Sequence, residues 1–134
     1  MSAMEAIESV VAEGAPAPVG HYVQATAWKD LVFVSGQLAA QADGSHAADQ
    51  PFEVQARQAL ASLLSILHAA GSRPEWVLKV TAYVVGVEHW PAFNRLYAEA
   101  FGSARPARSV VPVPALHHGY LIELEAVAVR RTTT

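Results

Sequence analysis

Apolar residues in this chain fall into two periods, and the alternation between them lays out the elements. Tyr22 to Trp28 and Leu31 to Ser35 are β-type runs separated by the polar pair Lys29-Asp30, which suits a tight hairpin. In the second run Leu31, Phe33 and Ser35 share one face and Val32 and Val34 the other, so the strand is apolar on both sides, and Gly36 is expected to break it. Residues 38–50 are polar, contain Asp43-Gly44 and read as a loop. Phe52, Ala56, Ala59, Leu60, Leu63, Leu67 and Ala70 then recur at three- and four-residue steps between Pro51 and Gly71, which predicts a helix with proline at its start and glycine past its end. Trp76 to Val85 has the β-branched and aromatic content of a strand. Trp90, Phe93, Tyr97 and Phe101 give a second helix over Glu88 to Phe101.

Two further strands are predicted, Ala107 to Val113 and Tyr120 to Arg130. Pro112 cannot donate to a ladder, so the first belongs at an edge or turns that position away from its neighbour. In the second, Leu121, Glu123, Glu125, Val127 and Val129 alternate with Ile122, Leu124, Ala126 and Ala128, and the wholly apolar set should face the helices. The order strand, strand, helix, strand, helix, strand, strand describes an α+β fold with two helices on one face of a mixed sheet. The opposite face keeps apolar side chains with no cover inside one chain, so self-association is expected, with clefts between subunits.

The 134 residues form a single predicted domain, 1–134, with the Ala-, Gly- and Pro-rich residues 1–20 read as a poorly ordered leading segment. Absence of cysteine excludes disulfides, thiol nucleophiles and cysteine-ligated clusters. A net charge of −3 with no basic cluster gives little drive for nucleic acid. No apolar run is long enough to span a bilayer, and Glu5, Glu8 and Glu13 stand where a signal peptide would carry basic residues, so a cytoplasmic protein without membrane contact is expected.

Several residues could carry chemistry. Glu123 and Glu125 share one strand face, where paired carboxylates raise each other's proton affinity; a salt bridge and a solvated partner are the bland alternative. Arg108 lies in an apolar run where a guanidinium needs an anion, either a substrate carboxylate or an internal acid such as Glu123. Ser35-Gly36-Gln37 offers a hydroxyl and backbone N–H groups, or simply a turn. Of six histidines only His117 and His118 are adjacent, so no metal site is expected.

From Tyr22 to Arg131 the sequence resembles the Rid family of enamine/imine deaminases, the YjgF/YER057c/UK114 group. The blocks that carry the resemblance, in order, are HYVQA (21–25), LVFVSGQ (31–37), QARQAL (55–60), AAG (69–71), VLKVTAYV (77–84), FNRLYAEAFG (93–102), RPARSVV (105–111) and IELEAVAVRR (122–131). The resemblance implies a chorismate-mutase-like fold and a homotrimer whose sheets form a central barrel-like arrangement. It also implies hydrolysis of 2-aminoacrylate, 2-iminopropanoate and related 2-imino acids to 2-keto acids and ammonia without cofactor. By position, Arg108 is expected to clamp the substrate carboxylate and Glu123 to orient water, while Tyr22, Ser35, Gly36, Asn94 and the backbone of Val110 line the cleft. His21, Val110, Pro112, Pro114 and the His117-His118-Gly119 loop depart from the family's commonest pattern and leave the preferred substrate open. A non-enzymatic keto-acid binder or regulator using the same clefts is the rival reading.

Overall fold

A computed structural model describes residues 6–131. The strands are β1 (Glu8–Val10), β2 (Ala25–Trp28), β3 (Leu31–Gln37), β4 (Val77–Val84), β5 (Ala107–Pro112) and β6 (Ile122–Val129); the helices are α1 (Phe52–Ala69) and α2 (Trp90–Phe101). They build one six-stranded sheet in the order β1-β2-β3-β6-β4-β5, antiparallel except for the parallel β4–β5 pair that α2 connects. Both helices lie on the same face. The predicted α+β class, the two helices and the edge position of the Pro112 strand are all present.

The alternation in β6 sorts the sheet. Ile122, Leu124, Ala126 and Ala128 are buried beneath the helices with Val32 and Val34 of β3 and Val80, Ala82 and Val84 of β4. On the other side Phe33 is 46% exposed opposite Val127, and Leu31 stands opposite Val129. That apolar surface has no cover among the described residues.

α1 ends as its glycine requires. Gly71 takes φ +85°, its N–H donates to the His68 carbonyl at 3.0 Å, and the Ser72 N–H donates to the Leu67 carbonyl at 2.9 Å. Lys29, at φ 53°, turns the tight β2–β3 hairpin, in which Trp28 pairs with Leu31.

Three boundaries differ from the sequence reading. Gly36 does not end β3; the strand runs to Gln37 through a register shift between Val34 and Gln37, and Gly36 lies within that bulge. Residues 22–24 are not strand, because Gln24 turns its side chain inward. The leading segment gains order from that amide: the Ala12 N–H donates to Gln24 Oε1 at 2.6 Å, and Gln24 Nε2 donates to the carbonyls of Ala12 (3.0 Å), Ala15 (3.3 Å) and Pro16 (2.9 Å). A buried carboxamide therefore supplies what hydrophobic periodicity could not show, with Val10, Ala12 and Ala15 buried beside it. Arg130 adds a second tie, donating to Glu8 in β1 at 2.8 and 3.2 Å and to the Lys29 carbonyl at 2.8 Å.

Another buried amide joins α1 to the start of β6. Gln55 is fully buried; its Nε2 donates to the carbonyls of Ala48 (3.1 Å) and Gln50 (2.9 Å), and its Oε1 accepts the Leu121 N–H at 2.9 Å. Gln55→Leu strands those groups in an apolar interior, where each orphan costs about 1–3 kcal/mol. The expected result is a clear fall in thermal midpoint at fixed protein concentration; an unchanged midpoint would show that the amide does not hold this junction.

Candidate active site

Arg108 and Val110 alternate with Ser109 and Val111 along β5. The register pairs Arg108 with Val80 and Val110 with Ala82, both buried positions of β4, so Arg108 and Val110 point to the helix-covered face. There α2 receives the guanidinium. Asn94 Oδ1 accepts from Arg108 Nη2 at 2.7 Å, and the cation lies 4.8 Å from the Tyr97 ring centroid and 5.5 Å from that of Phe93. Phe93, Asn94 and Tyr97 come from one helical turn and its successor, which places ring, amide and ring side by side.

The four ion pairs among the described residues use Arg57, Arg73, Arg95 and Arg130. Arg108 has no acidic partner among the described residues. Within one chain it is also exposed, which corrects the expectation of a guanidinium buried in an apolar run. Its partner is a neutral amide, which steers the cation without cancelling its charge. The Asn94 amide group is thereby turned so that its two N–H donors point away from Arg108.

The backbone of β5 adds to this. The Val113 N–H donates to the Val84 carbonyl at 3.0 Å, so by strand alternation positions 109, 111 and 113 address β4 and positions 108, 110 and 112 address the open edge. Pro112 thus places its missing donor outward, and the N–H groups of Arg108 and Val110 face the edge beside the guanidinium. Val110 is half-buried and packs its side chain against the core.

Glu123 lies elsewhere. It pairs with Tyr83, and Glu125 with Thr81, on the face away from the helices. The Gly36 bulge makes room for it, since a Cβ at position 36 would overlap the Glu123 carboxyl. Burial first, and then the negative charge of Glu125, push the Glu123 carboxyl above the usual range, while His117 acts in the opposite direction. Glu123 and Glu125 thus share one strand face, while Arg108 and Glu123 occupy opposite faces of one sheet and a single chain does not bring them together.

Of the remaining predicted residues, Ser35 lies beside Gly36, but its hydroxyl donates to the Val23 carbonyl at 2.6 Å and its N–H to the Gln24 carbonyl at 2.9 Å. It anchors the chain before β2 and keeps only acceptor capacity for anything else. Gln37 straps the bulge, donating from Nε2 to the carbonyls of Ser35 (3.1 Å) and Gly36 (3.3 Å). Tyr22 is 49% exposed, with its hydroxyl accepting the Val19 N–H at 3.5 Å. Among the described residues no group of three His, Asp or Glu is placed to hold a metal.

Two features escaped the sequence reading. The Tyr97 hydroxyl is buried without a hydrogen-bond partner among the described residues, and burial pushes it up to about 12. Its position in the aromatic stripe signalled core and gave no hint of the cation above it. His46, within the predicted 38–50 loop, packs its ring 4.4 Å from His118 and approaches the Tyr120 hydroxyl with Nδ1 at 2.7 Å. Cavities of about 480 and 360 Å³ lie beside α1 at His46 and Arg57 and beside the leading segment at Gln24; neither of these includes Arg108, Asn94 or Glu123.

The family model for endoribonuclease L-PSP matches residues 12–130. The chain belongs to this family, the YjgF/RutC/Rid group. It is 36% identical over 121 residues to the RutC family protein PH0854 of Pyrococcus horikoshii, covering 90% of this chain and 96% of that protein. It is 34% identical over 127 residues to the 2-iminobutanoate/2-iminopropanoate deaminase of Salmonella typhimurium, covering 92% and 98%. The crystal structure of YEO7 from yeast superimposes with a TM-score of 0.89 at 32% identity, covering 94% of this chain and all of that one, 100%. The family expectation and the fold expectation both stand. No helix among the described residues is long and apolar enough to cross a membrane.

The raised proton affinity of Glu123 has a stability consequence. A carboxyl that holds its proton more tightly folded than unfolded stabilises the fold below its ordinary range, and that contribution is lost as pH rises through the raised value. Glu123→Gln is therefore expected to melt above wild type at about pH 7.5, with the gap closing towards about pH 4. Parallel melting curves at both pH values would contradict a desolvated carboxyl.

Proposed function

We propose that the protein hydrolyses small 2-imino acids, such as 2-iminopropanoate and its enamine form 2-aminoacrylate, to 2-keto acids and ammonia, in clefts between the copies of a homotrimer. One observation carries the reading: an arginine held by an amide and two rings, with N–H groups of a strand edge beside it and no acid among the described residues of its own chain to neutralise it. That arrangement suits a carboxylate, which a guanidinium can grip with two parallel hydrogen bonds. The relative named a deaminase, similar over nearly the whole length, supports the choice of an imino acid.

Glu123 supplies the second half. Arg108 and Glu123 point from opposite faces of the sheet, so the helix-side edge of one copy meeting the outer face of the next brings them into one cleft. Covering Phe33, Leu31 and Val127 favours such packing. With the carboxylate fixed by Arg108, the water oxygen bonds to the imine carbon while its proton passes through Glu123 to the nitrogen. The adduct's hydroxyl proton then reaches the same nitrogen, the C–N bond breaks, and ammonia leaves a ketone behind. Holding water and imine together lowers the entropic part of the barrier, and proton relay by a positioned carboxyl adds about 10²–10⁴-fold. Tyr22, Ser35, Gly36, Asn94 and Val110 are assigned to the walls of this cleft, and no cofactor is needed for addition of water to a C=N bond.

The test is hydrolysis of freshly generated 2-iminopropanoate. Arg108→Ala should lower kcat/KM by about 100-fold or more, given roughly 1.5–3 kcal/mol for each hydrogen bond to a charged group. Rates equal to wild type would remove the clamp, and saturable keto-acid binding without turnover would favour a regulator.

The shared cleft makes a separate prediction. Arg108→Ala and Glu123→Gln chains, each inactive alone, should regain activity when unfolded together in equal amounts and refolded, because about one third of the clefts in mixed trimers then hold both native residues. No recovery in verified mixed trimers would place both groups in one chain's site and contradict the opposed-face geometry.

A further inference from the structure

Phe93, Tyr97 and Phe101 follow one another at four-residue steps along α2, and all are buried. They are not equivalent towards Arg108. The guanidinium carbon lies over the Tyr97 ring at 4.8 Å from its centroid, against 5.5 Å for Phe93. Tyr97 is itself held on two sides: its ring stacks on Phe101 with centroids 4.4 Å apart and planes at 25°, and Phe93 stands tilted at 52° with its centroid 5.5 Å away. A ring packed in this way keeps its face towards the cation. The hydroxyl takes no part, because it is buried without a hydrogen-bond partner among the described residues. With phenylalanine as both aromatic neighbours, the orphan hydroxyl is a cost to the fold that a third phenylalanine would avoid. The acting part of the side chain is therefore its ring.

Arg108 is exposed and long, and such a side chain loses rotamer freedom when it grips a ligand. Asn94 Oδ1 takes one of its N–H donors at 2.7 Å, but a single hydrogen bond leaves the guanidinium free to swivel about that contact. We propose that Tyr97 is a positioning residue for the carboxylate clamp: its ring face holds the Arg108 guanidinium flat, so that the remaining donors meet a carboxylate already ordered. The clamp grips the carboxylate alike in the bound substrate and in the transition state, so loss of the ring raises KM and leaves kcat in place. This kinetic consequence rests on the deaminase reading; the seating of the cation on the ring does not.

The test replaces Tyr97 by leucine, by phenylalanine, and by ring-difluorinated and ring-trifluorinated phenylalanine, which keep the shape of phenylalanine while draining negative charge from the ring face. In Tyr97→Leu the KM for 2-iminopropanoate and the dissociation constant for 2-ketobutyrate should both rise by about two- to fivefold or more at unchanged kcat. Tyr97→Phe should restore both and melt at or above the wild-type temperature, and each added fluorine should weaken binding again. Affinity indifferent to fluorination, a Tyr97→Phe protein as weak as Tyr97→Leu, or a fall in kcat at constant KM overturns the proposal. If Tyr97→Leu does not fold, the fluorinated series decides alone. A second readout needs no turnover. The NMR signal of the Arg108 Nε–H, assigned by its loss in Arg108→Ala, should move in Tyr97→Leu, which removes the ring current, and stay in Tyr97→Phe; an unmoved signal in the leucine variant overturns the seating. A ring-dependent signal in a protein that hydrolyses no imino acid would mark failure of the deaminase reading by itself.

Discussion

Everything in this molecule is arranged around a period of two in one strand. β6 lies between β3 and β4, and its even-numbered residues, Ile122 to Ala128, are all apolar and pinned beneath both helices. With that face committed, the odd-numbered residues have nowhere else to go, and Glu123 and Glu125 are fixed on the opposite side. A slip of one residue would bury two carboxylates under the helices, an outcome costly enough to make the register unambiguous. The same alternation, carried through β4 into β5, turns Arg108 to the helix side. Core packing and the placement of candidate chemistry are thus one decision.

The separation of Arg108 from Glu123 follows from this sorting. Each is supported by its own neighbours: Arg108 by the amide and rings of α2, Glu123 by the space that Gly36 leaves in the β3 bulge. Opposite charges kept apart within one chain do not quench each other, so both stay available to something else. A direct ion pair between them would have satisfied the fold and left no chemistry.

Much of this was legible in the sequence. The helices announced themselves through three- and four-residue spacing and their Pro and Gly boundaries, and the sidedness of β6 could be read directly. Arg108 and Glu123 were visible as charged residues in strand patterns, although the partner of Arg108 was not, because Asn94 looks like any polar residue on a helix. What stayed hidden depends on side chains that reach across long sequence distances. Gln24 organises the leading segment and Gln55 ties α1 to β6, and an amide's burial leaves no periodic trace. Gly36 read as a terminator when it is a bulge, since a glycine serves either purpose and only the partner strand decides. His46 and Tyr120 are 74 positions apart, and nothing local in either segment foretells their contact.

The outer rim of β5 carries a further implication. A parallel strand with one side unmatched invites another peptide to add itself, and repeated addition is a route to fibrils. Here the invitation is short. Arg108 and Val110 offer donors to the rim, but Pro112 has none, Pro114 follows soon after, and a cation occupies the approach. The rim refuses a second strand while keeping its outward donors beside a cation, so protection against polymerisation and the carboxylate grip proposed for Arg108 have the same origin.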